Sequence, residues 1–256
     1  MLPATMLFLT MLSGTIPLGV HQGRLIVNGV YVNGHGPYRF LLDTGEEKNE
    51  LGEDLAKSLK LPTTLSLNLL TAAGVVKGSG ARGLTIRVGP VGAGQQDVLF
   101  ARLDALHQWS PDVQGILGQA FLSRFDYLLD LHHHRMEFGK RQHEGLRVPF
   151  EMLAGTPVVS TNLGMLALDS GTNQVVVFGT DPVGSYRTHP IRTEAGFVSA
   201  VVDETRPLVL GGRTIHHPGA LVMKRPLRLP QDGLLPVSLF RTVYVCNSER
   251  YVVLTQ

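Results

Sequence analysis

Apolar residues along this chain fall in short runs rich in Val, Leu, Ile and Phe, punctuated by Gly, Pro, Asn and Asp. That rhythm predicts strands joined by hairpins, because helices would place apolar residues on a period of three to four. Ile26 to Val32 and Tyr38 to Leu42, joined through residues 33–37, read as a hairpin that delivers Asp43 at its far end. Only residues 50–59 break the pattern. Leu51, Leu55 and Leu59 recur every fourth position, with acids early and Lys57 late, which predicts a short helix over Glu50 to Leu59. The matching stretch of the second half carries Pro182-Val183-Gly184, and no helix is expected there. A turn of helix fits Gly118 to Phe125. Tyr127 to Leu131 with Arg135 to Phe138, and Val243 to Cys246 with Tyr251 to Leu254, read as two closing hairpins. The polar stretch Gly139 to Arg147 lies between the halves. The expectation is an all-β fold with few short helices, a leader over residues 1–15, and lobes over 16–140 and 148–256.

Two of the apolar runs end in an acidic triplet. Asp43-Thr44-Gly45 follows Tyr38 to Leu42, and Asp169-Ser170-Gly171 follows Met165 to Leu168, about half of the 256-residue chain further on. Singly, such triplets are common turns that end strands. Their surroundings echo one another in order, however. Ile16-Pro17-Leu18 is answered by Val148-Pro149-Phe150, Thr71 to Val76 by Thr193 to Val198, and Gly115-Ile116-Leu117-Gly118 by Gly233-Leu234-Leu235-Pro236. A diverged internal repeat is the simplest account, with one carboxylate from each half.

These motifs resemble the pepsin and retropepsin-like aspartic proteases, most closely the two-lobed, single-chain aspartyl protease family proteins. The resemblance runs from Ile16 to Leu254. It implies a bilobal acid-protease fold, two β-barrel lobes related by a pseudo-twofold axis, with Asp43 and Asp169 as the catalytic dyad. Two carboxylates this close share one proton and titrate as a unit. In the family the ionised member draws a proton from a water held between them while the protonated one polarises the scissile carbonyl. No covalent intermediate, cofactor or metal is required. The resemblance also implies that Thr44 and Ser170 hydrogen-bond across the axis, and that Gly45 and Gly171 leave space for tight turns and for backbone N–H groups at the carboxylates. Ala72, Ala73, Gly74, Glu194, Ala195 and Gly196 fall where the family places flap hairpins over its substrate; ordinary solvent-facing hairpins are the alternative. Neither segment has the tyrosine of pepsin flaps, so the shorter retropepsin kind is implied. The implied activity is endopeptidase hydrolysis of an extended peptide or protein, by a monomer; a homodimer is the alternative.

Two departures qualify that activity. Glu46-Glu47 stands where the family prefers a small residue, and a further carboxylate beside the pair would disfavour ionisation. Pro236 stands where the first half has Gly118. The rival reading is therefore a retropepsin-like binding or scaffolding protein that has lost turnover.

Composition narrows the remaining classes. A formal net charge of +2 and no basic tract give no field for nucleic acid. The single cysteine, Cys246, allows no internal disulfide and reads as a small buried hydrophobe in an apolar run. His132-His133-His134 would alternate faces on a strand and cannot converge on one ion, so it reads as a surface hairpin turn, and His216-His217 takes the same reading. Gly78-Ser79-Gly80 has no strand-turn-helix around it for a nucleophilic serine, nor the ending of a phosphate loop. Met1 to Leu12 is apolar but too short to span a membrane. A secretory signal lacking its basic start and a disordered leader are both open, with an exported location, periplasmic or secreted, favoured.

Overall fold

Asn33 and Gly34 both adopt the left-handed backbone conformation, with φ of 48° and 81°, so the hairpin ahead of Asp43 turns within these two residues. The expected linker over 33–37 is thereby corrected. The strands Arg24–Val32 and His35–Leu42 run further than their apolar residues suggest, with Val32 opposite His35 and Leu25 opposite Leu42. In this computed structural model the described residues are 14–71, 74–179, 188–193, 196–203, 207–216, 219–225 and 229–256.

The helix expected over residues 50–59 is also corrected. Asn49–Gly52 is a strand, parallel to Val98–Ala101 and antiparallel to Gly115–Leu117, and only Glu53–Ser58 is helical. Leu51 shares the helical period by coincidence: two flanking strands bury it completely, and sheet pairing outweighs a weak local period. The other α-helices of the described residues, Asp104–His107 and Gln119–Leu122, are one turn each. Apart from a 3-10 turn at Val237–Leu239, the described chain is otherwise strand and turn, an all-β fold. Residues 182–184 lie outside the described residues.

Pairing falls into three linked regions. In the first half, strands from Leu18 to Leu117 pair among themselves; in the second, strands from Phe150 to Pro236 do so. Between them lies a connecting sheet with three strands from each half of the chain, in the order Thr15–Pro17, Arg135–Phe138, Tyr127–Asp130, Thr242–Cys246, Tyr251–Thr255, Leu146–Pro149. The strands Thr15–His21 and Leu146–Leu153 each leave this sheet after a proline, Pro17 or Pro149, and continue into the sheet of their own half. Proline suits that corner because it has no N–H to give to a ladder. Both closing hairpins expected from the sequence are present, as Tyr127–Asp130 with Arg135–Phe138 and Thr242–Cys246 with Tyr251–Thr255.

The strands that end in the triplets are fixed by the same device in each half. Gly115–Leu117 runs parallel to Phe40–Leu42, and Gly233–Pro236 runs parallel to Leu166–Asp169. Close backbone approach explains the glycines. A Cβ on Gly115 would lie 2.5 Å from Glu50 O, and one on Gly233 would overlap Val176 O. Buried side chains from both halves, among them Phe40, Leu42, Leu117, Leu166, Leu168 and Leu235, belong to one continuous apolar core beneath the triplets.

Candidate active site

Each triplet leaves a buried strand and meets the other one. Thr44 Oγ1 donates to Leu168 O at 2.8 Å and accepts the Ser170 N–H at 3.0 Å. Ser170 Oγ donates to Leu42 O at 2.6 Å and accepts the Thr44 N–H at 3.0 Å. Thr44 and Ser170 are each 1% exposed, so all four bonds form away from water. Each bond satisfies a backbone group that would otherwise be buried unpaired, and the two loops hold each other in one relative position.

The carboxyl groups face one another across this lattice. Asp43 Oδ1 accepts the Gly45 N–H at 2.9 Å, and Asp169 Oδ1 accepts the N–H groups of Gly171 at 2.6 Å and Thr172 at 3.1 Å. The Asp43 side chain is close enough to act on the Asp169 carboxyl. The glycines permit this approach: a Cβ on Gly45 would lie 2.8 Å from Asp169 Cγ, and one on Gly171 would overlap Asp43 Oδ2. Burial pushes the Asp169 carboxyl above the usual range. The two N–H donors, the hydrogen bond with Asp43 and the charge of Arg24 oppose that rise without cancelling it. A buried carboxyl raised in this way, beside a half-buried one, is suited to holding a single shared proton.

The first loop is braced more fully than the second. Asp43 N–H donates to Leu117 O at 3.1 Å, Gly118 N–H donates to Asn49 Oδ1 at 3.0 Å, and Gln119 Nε2 donates to Thr44 O at 2.7 Å. Gly118 has no space for a side chain, since a Cβ would overlap Lys48 O. Opposite Asp169 stands Pro236, which has no N–H for a bond like that of Gly118. Glu46 turns one oxygen back onto its own loop, where Oε1 accepts the Lys48 N–H at 3.1 Å.

Of the flap candidates, Gly74 and Gly196 lie on two hairpins. Leu65–Thr71 pairs with Gly74–Val88, ending at Thr71 opposite Gly74, and Thr188–Thr193 pairs with Gly196–Asp203, ending at Thr193 opposite Gly196. Ala72, Ala73, Glu194 and Ala195 lie outside the described residues, as does His217. His132 to His134 occupy a turn, with His133 Nδ1 2.7 Å from Asp130 Oδ2. Cys246 is fully buried.

The site thus consists of two carboxyls on interlocked Asp-hydroxyl-Gly loops of an all-β chain. Residues 29–121 match the family model described as aspartyl protease, of the retropepsin-like clan, and this match supports assigning the chain to an aspartic protease family. The matched region holds the first triplet and its braces. No curated protein matches the chain significantly.

Two residues of the site escaped the sequence reading. Gln119 carried one weak signal, a polar side chain directly after the Ile-Leu-Gly segment and ahead of Ala-Phe-Leu. Arg24 donates from Nε to Gly171 O at 3.0 Å, and its guanidinium lies over the Trp109 ring, 5.2 Å from the centroid. Its signal was the tight turn Gln22-Gly23 before it, which gives no hint of a partner in the other half.

Proposed function

We propose that this chain is an aspartic endopeptidase in which Asp43 and Asp169, one from each of two lobes over 16–140 and 148–256, activate a water for attack on a peptide carbonyl. The observation that supports it is the interlock of the two loops, each clamped by the other's hydroxyl residue, with the two carboxyls close beside it. The ionised member takes a proton from the water, and the protonated member gives its own to the carbonyl oxygen, so charge never accumulates on the pair. Thr44, Gly45, Ser170 and Gly171 hold the geometry. The substrate is an extended peptide crossing the cleft between the lobes, beneath the hairpins that carry Gly74 and Gly196. In this reading the halves descend from one duplicated unit, and the chain works without metal or cofactor.

Pro236 favours a second reading, a binding protein of the same fold with slow or absent turnover, because it has no N–H for a bond like the one from Gly118 to Asn49 beside the first loop. Incubation of the protein with a peptide library at acid and neutral pH separates the two. The protease reading expects new termini that are missing with the Asp43→Asn/Asp169→Asn double variant. Peptides bound by the wild type but left intact at every pH would establish the second reading.

A further inference from the structure

Gln119 grips the loop of the first triplet at two points. Its backbone N–H donates to Glu46 O at 2.8 Å, and its side-chain Nε2 donates to Thr44 O at 2.7 Å. The residue is buried, so water cannot replace the second bond, and that bond decides where the amide points. The parallel strands identify its counterpart in the second half. Asp169 lies opposite Pro236, and the next residue, Val237, is buried and has no polar atom in its side chain. Thr44 O therefore receives an amide donor from a position that offers Ser170 O no side-chain donor.

The bond to Thr44 O reaches the carboxyl of Asp43 through one peptide group. The N–H of that same unit, belonging to Gly45, donates to Asp43 Oδ1 at 2.9 Å. A donor at the oxygen end of a peptide polarises it and strengthens its N–H. The Gln119 amide, the Thr44–Gly45 peptide and the Asp43 carboxyl thus form a chain in which each donor points toward the carboxyl.

Behind the amide stands Tyr127, fully buried, with the Phe138 ring at 6.4 Å. A phenylalanine would fill this apolar place without a hydroxyl to desolvate. Burial pushes the Tyr127 phenol up, with the Gln119 side chain opposing the rise, so the O–H keeps its proton across the range in which carboxyls titrate. Neither the Tyr127 hydroxyl nor Gln119 Oε1 is satisfied by any other described group. One is a donor, the other an acceptor, and their side chains are near enough to act on one another.

Resting on the protease reading of the pair, we infer that Gln119 is a positioning residue for Asp43: with the Tyr127 hydroxyl turned onto its Oε1, it holds the Thr44–Gly45 peptide so that the Gly45 N–H stays on the carboxyl during attack by water. The second half, with Val237 in the equivalent place, lacks this support.

The test compares wild type with Gln119→Met, which keeps the shape and loses the amide, and with Tyr127→Phe, which loses only the hydroxyl. In 1H–15N spectra of the full chain, the Gly45 N–H should move upfield in both variants, further in Gln119→Met. The Gly171 N–H, the corresponding donor to Asp169 Oδ1, should stay in place. On a cleaved peptide, kcat should fall about 3–10-fold in Gln119→Met while KM stays within about twofold, as expected where an interaction serves the transition state. An unmoved Gly45 N–H in either folded variant, equal movement of Gly45 and Gly171, or a raised KM with kcat unchanged would overturn the inference. Wild type supplies a check that needs no variant to fold: the Gln119 side-chain N–H should be protected from exchange with water, and fast exchange would also overturn the inference. The spectra report the Gly45 donor whether or not the protein cleaves peptides. A failed protease reading would therefore show as absent cleavage with the Gly45 shift still present.

Discussion

At the scale of single residues, the two hydroxyls matter most to stability and the two carboxyls to chemistry. Ser170→Ala leaves the Thr44 N–H and Leu42 O buried without partners, and should cost about 2–4 kcal/mol in urea unfolding. A cost below about 0.5 kcal/mol would mean the lattice does not hold the loops together. Asp169→Asn should do the opposite at neutral pH. The folded-state pKa of Asp169 is raised, so the native chain keeps a proton that the unfolded chain releases above about pH 4. Stability therefore falls as pH climbs from that value through the raised one. An amide keeps the acceptor for Gly171 and Thr172, donates to Asp43 and has no charge to bury. The variant is expected to melt higher than wild type at pH 7, by roughly 2–4 °C for each kcal/mol recovered, with no gain at pH 3. Lower melting at pH 7 would contradict the raised value.

At the scale of elements, the sequence conveyed strands and hairpins well where side chains alternate or run apolar, and less well where long-range pairing decides. Residues 50–59 show the limit. The period of Leu51, Leu55 and Leu59 is helical, yet Asn49–Gly52 is claimed by strands that lie far along the chain, and no local pattern announces them. The Asn33-Gly34 turn, by contrast, was written in its residue types, and only its length was overestimated. The parallel strands beside the triplets carry a sharper expectation. Gly118→Ala drives a methyl into Lys48 O and toward Glu46 O, 2.7 Å away, and should cost about 1–3 kcal/mol by denaturant titration. Gly94→Ala, where no atom lies within 4 Å, should stay within about 0.5 kcal/mol. Equal effects of the two would show that backbone approach at Gly118 is not what requires glycine.

At the scale of the molecule, the connecting sheet and the triplet lattice join the halves at two levels, one through backbone ladders and one through side chains. The triplets were legible because Asp-hydroxyl-Gly after an apolar run is a local pattern that occurs twice. Their contact was legible only through the family resemblance, since no single segment encodes the bonds from Thr44 to Leu168 or from Ser170 to Leu42. Arg24 was invisible for the same reason, its partner lying in the other half of the chain. The account rests on two carboxyls acting as one unit. The most direct measurement is the initial rate of cleavage of one peptide substrate across pH by wild type, Asp43→Asn and Asp169→Asn. The account predicts a bell-shaped profile for the wild type and a loss of at least about 100-fold with either variant. Cleavage that survives both substitutions at wild-type rates would contradict it.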